Sequence, residues 1–269
     1  MEEAKLISQP EKRWKMVVFT IFAAIFSLGG LFLLESLPEG LLPWATFGCP
    51  GCNPGDPNYP LDTSRWFGAQ HGATVGILFT GSLITLLWRP WNKPLLLQFY
   101  SLGFVIFSLV YFLFSLGEIP LATFLIFFIP LILLAVFYPG KGLWSNMFKE
   151  ANFHRLLLFM TIIALVVLFP VTWDHAVLQL KGGDEFSPNG RWTGSVNLSI
   201  TLVFASLLAS TRKPGWKPLT IIIGIAYLYL GAAALTVPDQ PGSWGTTGGI
   251  VSIIGGIAYL LCAFYKKKE

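Results

Sequence analysis

Cys49-Pro50-Gly51-Cys52, His71, Asp174 and His175 are the residues of this 269-residue chain whose types and spacing suit chemistry. Two cysteines separated by two residues can close a local disulfide, exchange with a partner disulfide, or supply half of a tetrahedral metal site. The surrounding prolines and glycines suit a stapled turn, and all three chemistries stay open for Cys49 and Cys52. The one other cysteine, Cys262, lies near the end of the last apolar segment, so a relay needing a second pair is incomplete. His71 opens one apolar segment and His175 closes another, which puts two imidazoles at similar depth. Such a pair can bind a cofactor: it can ligate a haem b or, with Asp174, Cys49 and Cys52, hold a metal ion. The plainer role is two interfacial imidazoles hydrogen-bonded to loops. The cofactor is not fixed by these residues.

The elements that must position them are membrane helices. Hydrophobic residues make up 54% of the chain and charged residues 12%, about half the charge of a soluble domain. The apolar residues fall in eight blocks, 16–36, 71–88, 95–115, 120–138, 155–173, 193–210, 219–237 and 249–265. At 1.5 Å per residue most are long enough for a hydrocarbon core of about 30 Å. A lone segment in lipid must satisfy its own backbone hydrogen bonds, so each block is predicted to be helical. The expected class is an all-α integral membrane protein of eight transmembrane helices.

Lysine and arginine then set the orientation. Fifteen of the eighteen fall on the side of the N-terminus and of every second turn, and only Arg65, Lys181 and Arg191 on the other. The positive-inside rule puts both termini in the cytoplasm and the chain in the inner (cytoplasmic) membrane. The net charge of +4 is an orientation signal and gives no reason to propose nucleic-acid binding. The first block, 16–36, is too long for a typical signal-peptide core and reads as an uncleaved span.

The two halves of the chain match in order. Arg65-Trp66-x-Gly68 returns as Arg191-Trp192-x-Gly194, Lys93-Pro94-Leu95 as Lys217-Pro218-Leu219, and Leu133-Leu134-x-x-Phe137-Tyr138 as Leu260-Leu261-x-x-Phe264-Tyr265. Four spans return a chain to its starting side, so the halves are expected to be a tandem parallel repeat of two four-helix units. The organisation is then a cytoplasmic segment 1–15, a first unit 16–138 with outer loop 37–64, a linker 139–154, a second unit 155–265 with outer loop 174–190, and a basic tail 266–269. Glu35 and Asp174 pair by position, as do Arg65 and Arg191, and each acid is expected to meet its arginine in a structural ion pair. Trp66 and Trp192 are expected as interfacial anchors. Gly68, Gly72 and Gly76, with Gly224, Gly231, Gly255 and Gly256, offer close-packing surfaces. His154 is read as an inner-interface residue.

The architecture resembles that of haem A synthases, which also have eight spans in a four-plus-four repeat with a cysteine pair in the first outer loop. Their paired histidines within each half are not matched by the three histidines of this chain. The resemblance is one of architecture, and no residue is carried over.

No Asp, Glu, Lys or Arg lies near the middle of any block. Ion-coupled transport needs such a group at mid-membrane, and Gln98, Tyr111, Asn197 and Thr201 are too scattered to outline a polar path. The expected function is a polytopic subunit or scaffold of a membrane-bound, redox-related complex with its specific features on the outer face. Its partners would be the lipid bilayer, other membrane subunits and a hydrophobic small molecule. Two alternatives are a membrane oxidoreductase or metal/haem-binding enzyme using the outer Cys/His cluster, and a carrier for a hydrophobic small molecule.

Overall fold

The computed structural model describes residues 13–32, 37, 41, 65–114, 121–140, 143–144 and 152–264. Among these residues there is no strand, and eight helical stretches account for nearly everything. They are α1 (Arg13–Phe32), α2, α3 (Pro94–Phe114), α4 (Leu121–Val136), α5 (Arg155–Lys181), α6 (Arg191–Ser210), α7 (Trp216–Thr236) and α8 (Gly245–Phe264). The stretch α2 has three joined pieces, an α-helix Arg65–His71, a π-helix Gly72–Thr80 and an α-helix Gly81–Leu86. Six of the eight, α1, α3, α5, α6, α7 and α8, are long and apolar enough to cross a membrane.

The apolar blocks and the helices coincide within a few residues, with one correction. The outer loop was expected from 174, yet α5 continues to Lys181. Ala176-Val177-Leu178-Gln179-Leu180 contains nothing that breaks a helix. The break comes where Gly182 and Gly183 take φ of +63° and +87°, a region open to glycine at little cost. Asp174 and His175 are therefore inside a helix.

The helices α2, α3, α6 and α7 form the centre, with α3 packed on α6 and α2 on α7. The helix α1 flanks α2 and α4, α5 flanks α6, and α8 flanks α7. Phe79 anchors the centre through rings of Phe99, Tyr100, Phe104 and Phe107 at 5.7–6.0 Å. The closest helix pair, α7 with α8, is zipped by glycine. A Cβ on Gly231 would stand 2.7 Å from the Gly249 carbonyl oxygen, and one on Gly256 2.7 Å from that of Gly224. Each pair is spaced seven residues along its helix, so the two backbones touch at two levels. Of the expected packing glycines, Gly255 faces open space.

The two lower turns share a backbone feature that sequence did not announce. Among the described residues Arg89 and Arg212 are the non-glycine residues at positive φ, +51° and +55°, one in each turn. Each guanidinium lies 5.8 Å from a tryptophan ring, Trp88 and Trp216 respectively. The Leu95 amide donates to the Pro214 carbonyl at 3.2 Å, so the turns lie side by side. Lys93 reaches back to the Thr85 and Trp88 carbonyls at 2.8 and 2.7 Å, capping α2 with a cation where the helix dipole favours one.

Candidate functional site

The upper end of the bundle, where α2 and α6 begin and α5 ends, holds the chemistry-bearing side chains. Trp192 is the hub. It is buried, with neighbours covering it on several sides. Its indole N–H donates to Asp184 Oδ2 at 2.8 Å. Its ring lies against His175 at 4.9 Å, Phe67 at 5.5 Å and Phe186 at 5.6 Å. Asp184 also accepts from the Phe186 and Ser187 amides at 2.9 and 2.6 Å and from the Ser187 hydroxyl at 2.7 Å. Desolvation pushes its carboxyl upward, but these hydrogen bonds outweigh it and hold the group below the ordinary value. Gln179 completes the clasp, donating to the Ser187 carbonyl at 2.9 Å and accepting from the Thr193 amide at 3.3 Å. Sequence reading missed Asp184 and Gln179. The available signal was an aspartate two residues before an amide in a glycine-rich turn, the pattern of an Asx turn.

The expected residues fall in different surroundings. His175 is buried on α5 between Trp192 and the segment at Gly242, where an added Cβ would come within 3.5 Å of the imidazole. Asp174 is exposed beside it. His71 lines a cavity of about 160 Å³ together with Phe67, Gln70, Thr74, Phe107, Tyr111, Gly190, Arg191 and Gly194. His175 does not line that cavity. Arg191 sits with its guanidinium 5.4 Å from Phe67 and 5.6 Å from Phe186, a cation over aromatic faces. Ligand sites for drug-sized molecules run to roughly 300–1,000 Å³, and a tetrapyrrole is larger still, so this cavity does not fit a haem. Among the described residues no group of three or more His, Cys, Asp or Glu side chains is placed to hold a metal ion. Cys49, Cys52 and Glu35 lie outside the described residues, and with them the cysteine loop and the expected Glu35–Arg65 pair.

The other copy of the repeated motif has its own arrangement. Trp66 is fully buried, with its ring 5.5 Å from Trp244. Its amide donates to Gln240 Oε1 at 2.9 Å. Arg65 lines a second cavity of about 330 Å³ with Thr236, Val237, Pro238, Asp239, Gln240 and Pro241, at the end of α7. Each motif arginine thus borders a cavity closed by the third helix of the opposite half.

Below the first cavity, α6 gathers buried polar side chains that sequence reading took as scattered. Ser195 donates to Gln70 Oε1 at 2.7 Å, tying α6 to α2. Asn197 and Thr201, three and seven residues on from Gly194, are fully buried, and their side-chain polar atoms have no hydrogen-bond partner among the described residues. The π-helix of α2 begins directly after His71. Its i→i+5 bonding widens the helix beside the cavity, a feature that often accompanies functional sites.

At the lower end, His154 is the N-cap of α5. Its Nδ1 accepts from the Leu157 amide at 3.4 Å and its own amide donates to the Ser210 carbonyl at 2.7 Å. Burial and the nearby Arg212 hold its imidazole below the usual value. Comparison of the chain with protein-family models, with curated proteins and with solved structures finds no match.

Proposed function

We propose that this chain is an eight-span protein of the inner membrane, built as two like-oriented four-helix units with both termini in the cytoplasm. It serves as a subunit or scaffold of a membrane-bound, redox-related complex whose working face is outside. The observation that carries the reading is where the chemistry-bearing side chains gather. His71, Arg191 and Tyr111 surround one cavity, with His175 and Trp192 beside it, all at the end opposite the basic turns. Cys49 and Cys52 join the same side by topology, where a local disulfide suits an oxidising compartment.

The two-unit reading draws support from packing. Exchanging α1–α4 for α5–α8 turns the contact of α1 with α2 into that of α5 with α6, and that of α3 with α6 into that of α7 with α2. Each unit also carries one left-handed arginine in its turn, Arg89 and Arg212. Native mass spectrometry of the protein, gently extracted from its own membrane, tests the function. Further polypeptides in the particle are expected, and a bare chain of 29.7 kDa overturns the subunit reading.

One observation favours a carrier as the second reading. Asn197 and Thr201 continue the cavity-lining stripe of α6 inward and hold polar atoms without partners among the described residues. Vesicle uptake of an apolar dye that is abolished by Asn197→Leu in a folded protein would move the choice to the carrier.

A further inference from the structure

The cavity between α2, α3 and α6 has a lining with one consistent chemistry. Arg191 offers only N–H donors. Gln70 is buried with its amide oxygen taken by Ser195 at 2.7 Å, so it has N–H groups left to offer. His71, itself exposed, and Tyr111 add a ring nitrogen and a phenol. Thr74 has its hydroxyl hydrogen committed to the Gln70 carbonyl at 2.9 Å. Among the described residues no carboxylate lines the space, and the walls that remain are the rings of Phe67 and Phe107 and the bare helix at Gly190 and Gly194.

A donor-rich space with aromatic walls selects a planar ring that carries acceptor oxygens. Its volume of about 160 Å³ admits one ring and excludes a fused macrocycle. A small oxyanion would suit the Arg191 cation but would bring nothing flat to the cavity-facing sides of Phe67 and Phe107. We propose that this cavity binds an uncharged carbonyl-bearing ring, the chemistry of a quinone headgroup, with Arg191, His71 and Gln70 donating to its oxygens and Phe67 and Phe107 against its faces. This deepens the redox-complex reading above and rests on it.

The second cavity supplies the internal control. It sets its arginine, Arg65, beside prolines and Asp239, with no aromatic side chain in its lining among the described residues. A carboxylate beside carbonyl oxygens repels them, so the ring belongs in the first cavity and not in the second.

The full chain in nanodiscs of zwitterionic lipid is titrated with a short-chain benzoquinone, following bound quinone and its carbonyl stretching band. Saturable one-to-one binding with the band shifted to lower frequency is expected. Gly194→Val fills the space, since its Cβ meets only Tyr111 Oη at an ordinary 3.6 Å. His71→Leu removes a donor at nearly the same side-chain volume. Each is expected to weaken binding about tenfold, the worth of one good hydrogen bond or of lost fit. Asp239→Asn is expected to leave binding unchanged. Absence of saturable binding, wild-type affinity in both cavity variants, or weakening by Asp239→Asn overturns the proposal. So does displacement of the ring by inorganic phosphate or by anionic-lipid vesicles, which would assign the cavity to an oxyanion. Co-purifying polypeptides in a preparation that binds no quinone would remove this inference and leave the subunit reading standing.

Discussion

The neighbours α5 and α6 reverse the rule that governs soluble proteins. In α6, 72% of the membrane-length stretch is buried, and that stretch carries Thr193, Ser195, Asn197, Ser199, Thr201 and Ser206 in its buried set. In α5 only 17% is buried. What it exposes is Leu156, Phe159, Ile162, Leu165, Val166, Val167, Phe169 and Trp173. A helix that turns its largest apolar side chains outward, while its more polar neighbour sits inside, is adapted to a solvent as apolar as its own core. Burial in lipid is not driven by hydrophobicity between helices, so the inside is filled by small and hydroxyl-bearing residues that pack closely. Two of the hydroxyls bond within their own helix, Ser206 to the Leu202 carbonyl at 2.7 Å and Ser199 to that of Ser195 at 3.1 Å.

The comparison breaks most readily on matched truncations. Leu202→Ala, in the fully buried centre of α6, is expected to cost about 2–5 kcal/mol. Leu165→Ala on the open side of α5 is expected to cost under about 1 kcal/mol. Thermal unfolding in one detergent measures both, and equal losses would put α5 inside a packed core. A charge sharpens the same point. Val166→Arg places a guanidinium on the apolar face of α5, with an expected insertion cost of about 2.5–3.5 kcal/mol, and Val166→Leu is expected to be silent. The amount of protein that integrates into membranes reads the difference.

The clasp that joins the two helices comes next in size. Asp184→Ala removes the acceptor for the Trp192 indole and for two amides, and about 1.5–3 kcal/mol should go with it. Because the folded carboxyl titrates below the ordinary 3.8, its contribution is complete above that pH and falls away as pH drops through the folded value. The smallest effect belongs to His154 at the other end of α5. Its folded imidazole takes up a proton less readily than the unfolded one, whose value is 6.5. Stability is thus intact above about pH 6.5 and declines as pH falls below it. His154→Gln is expected to flatten the dependence of unfolding on pH between pH 8 and pH 5, and an unchanged slope would show that protonation of His154 is not linked to folding.

Sequence made the helices legible because apolar length is a strong signal and breakers such as Pro90, Pro94 and Gly182 punctuate it. It did not show that α5 runs on past His175, since an amphipathic extension is written in ordinary helix formers. It could not place Trp66 and Trp192 inside, because an indole suits both an interface and a packed core, and of the two only Trp192 has a partner for its N–H among the described residues. Of the candidate site, His71 and Arg191 were singled out for other reasons, and the cavity they share was hidden. It depends on α3 bringing Phe107 and Tyr111 against α2 and α6, a meeting of residues far apart in the chain. The π-helix after His71 and the left-handed arginines carry no composition signal.

The most direct test of the inverted arrangement is labelling by a carbene reagent dissolved in the lipid, read residue by residue on α5 and α6 of the reconstituted protein. Val166, Phe169 and Ile162 are expected to be labelled many-fold more than Leu202, Ala205 and Leu198. Equal labelling of the two helices, or stronger labelling of α6, would contradict a bundle that turns α5 to lipid and keeps α6 within.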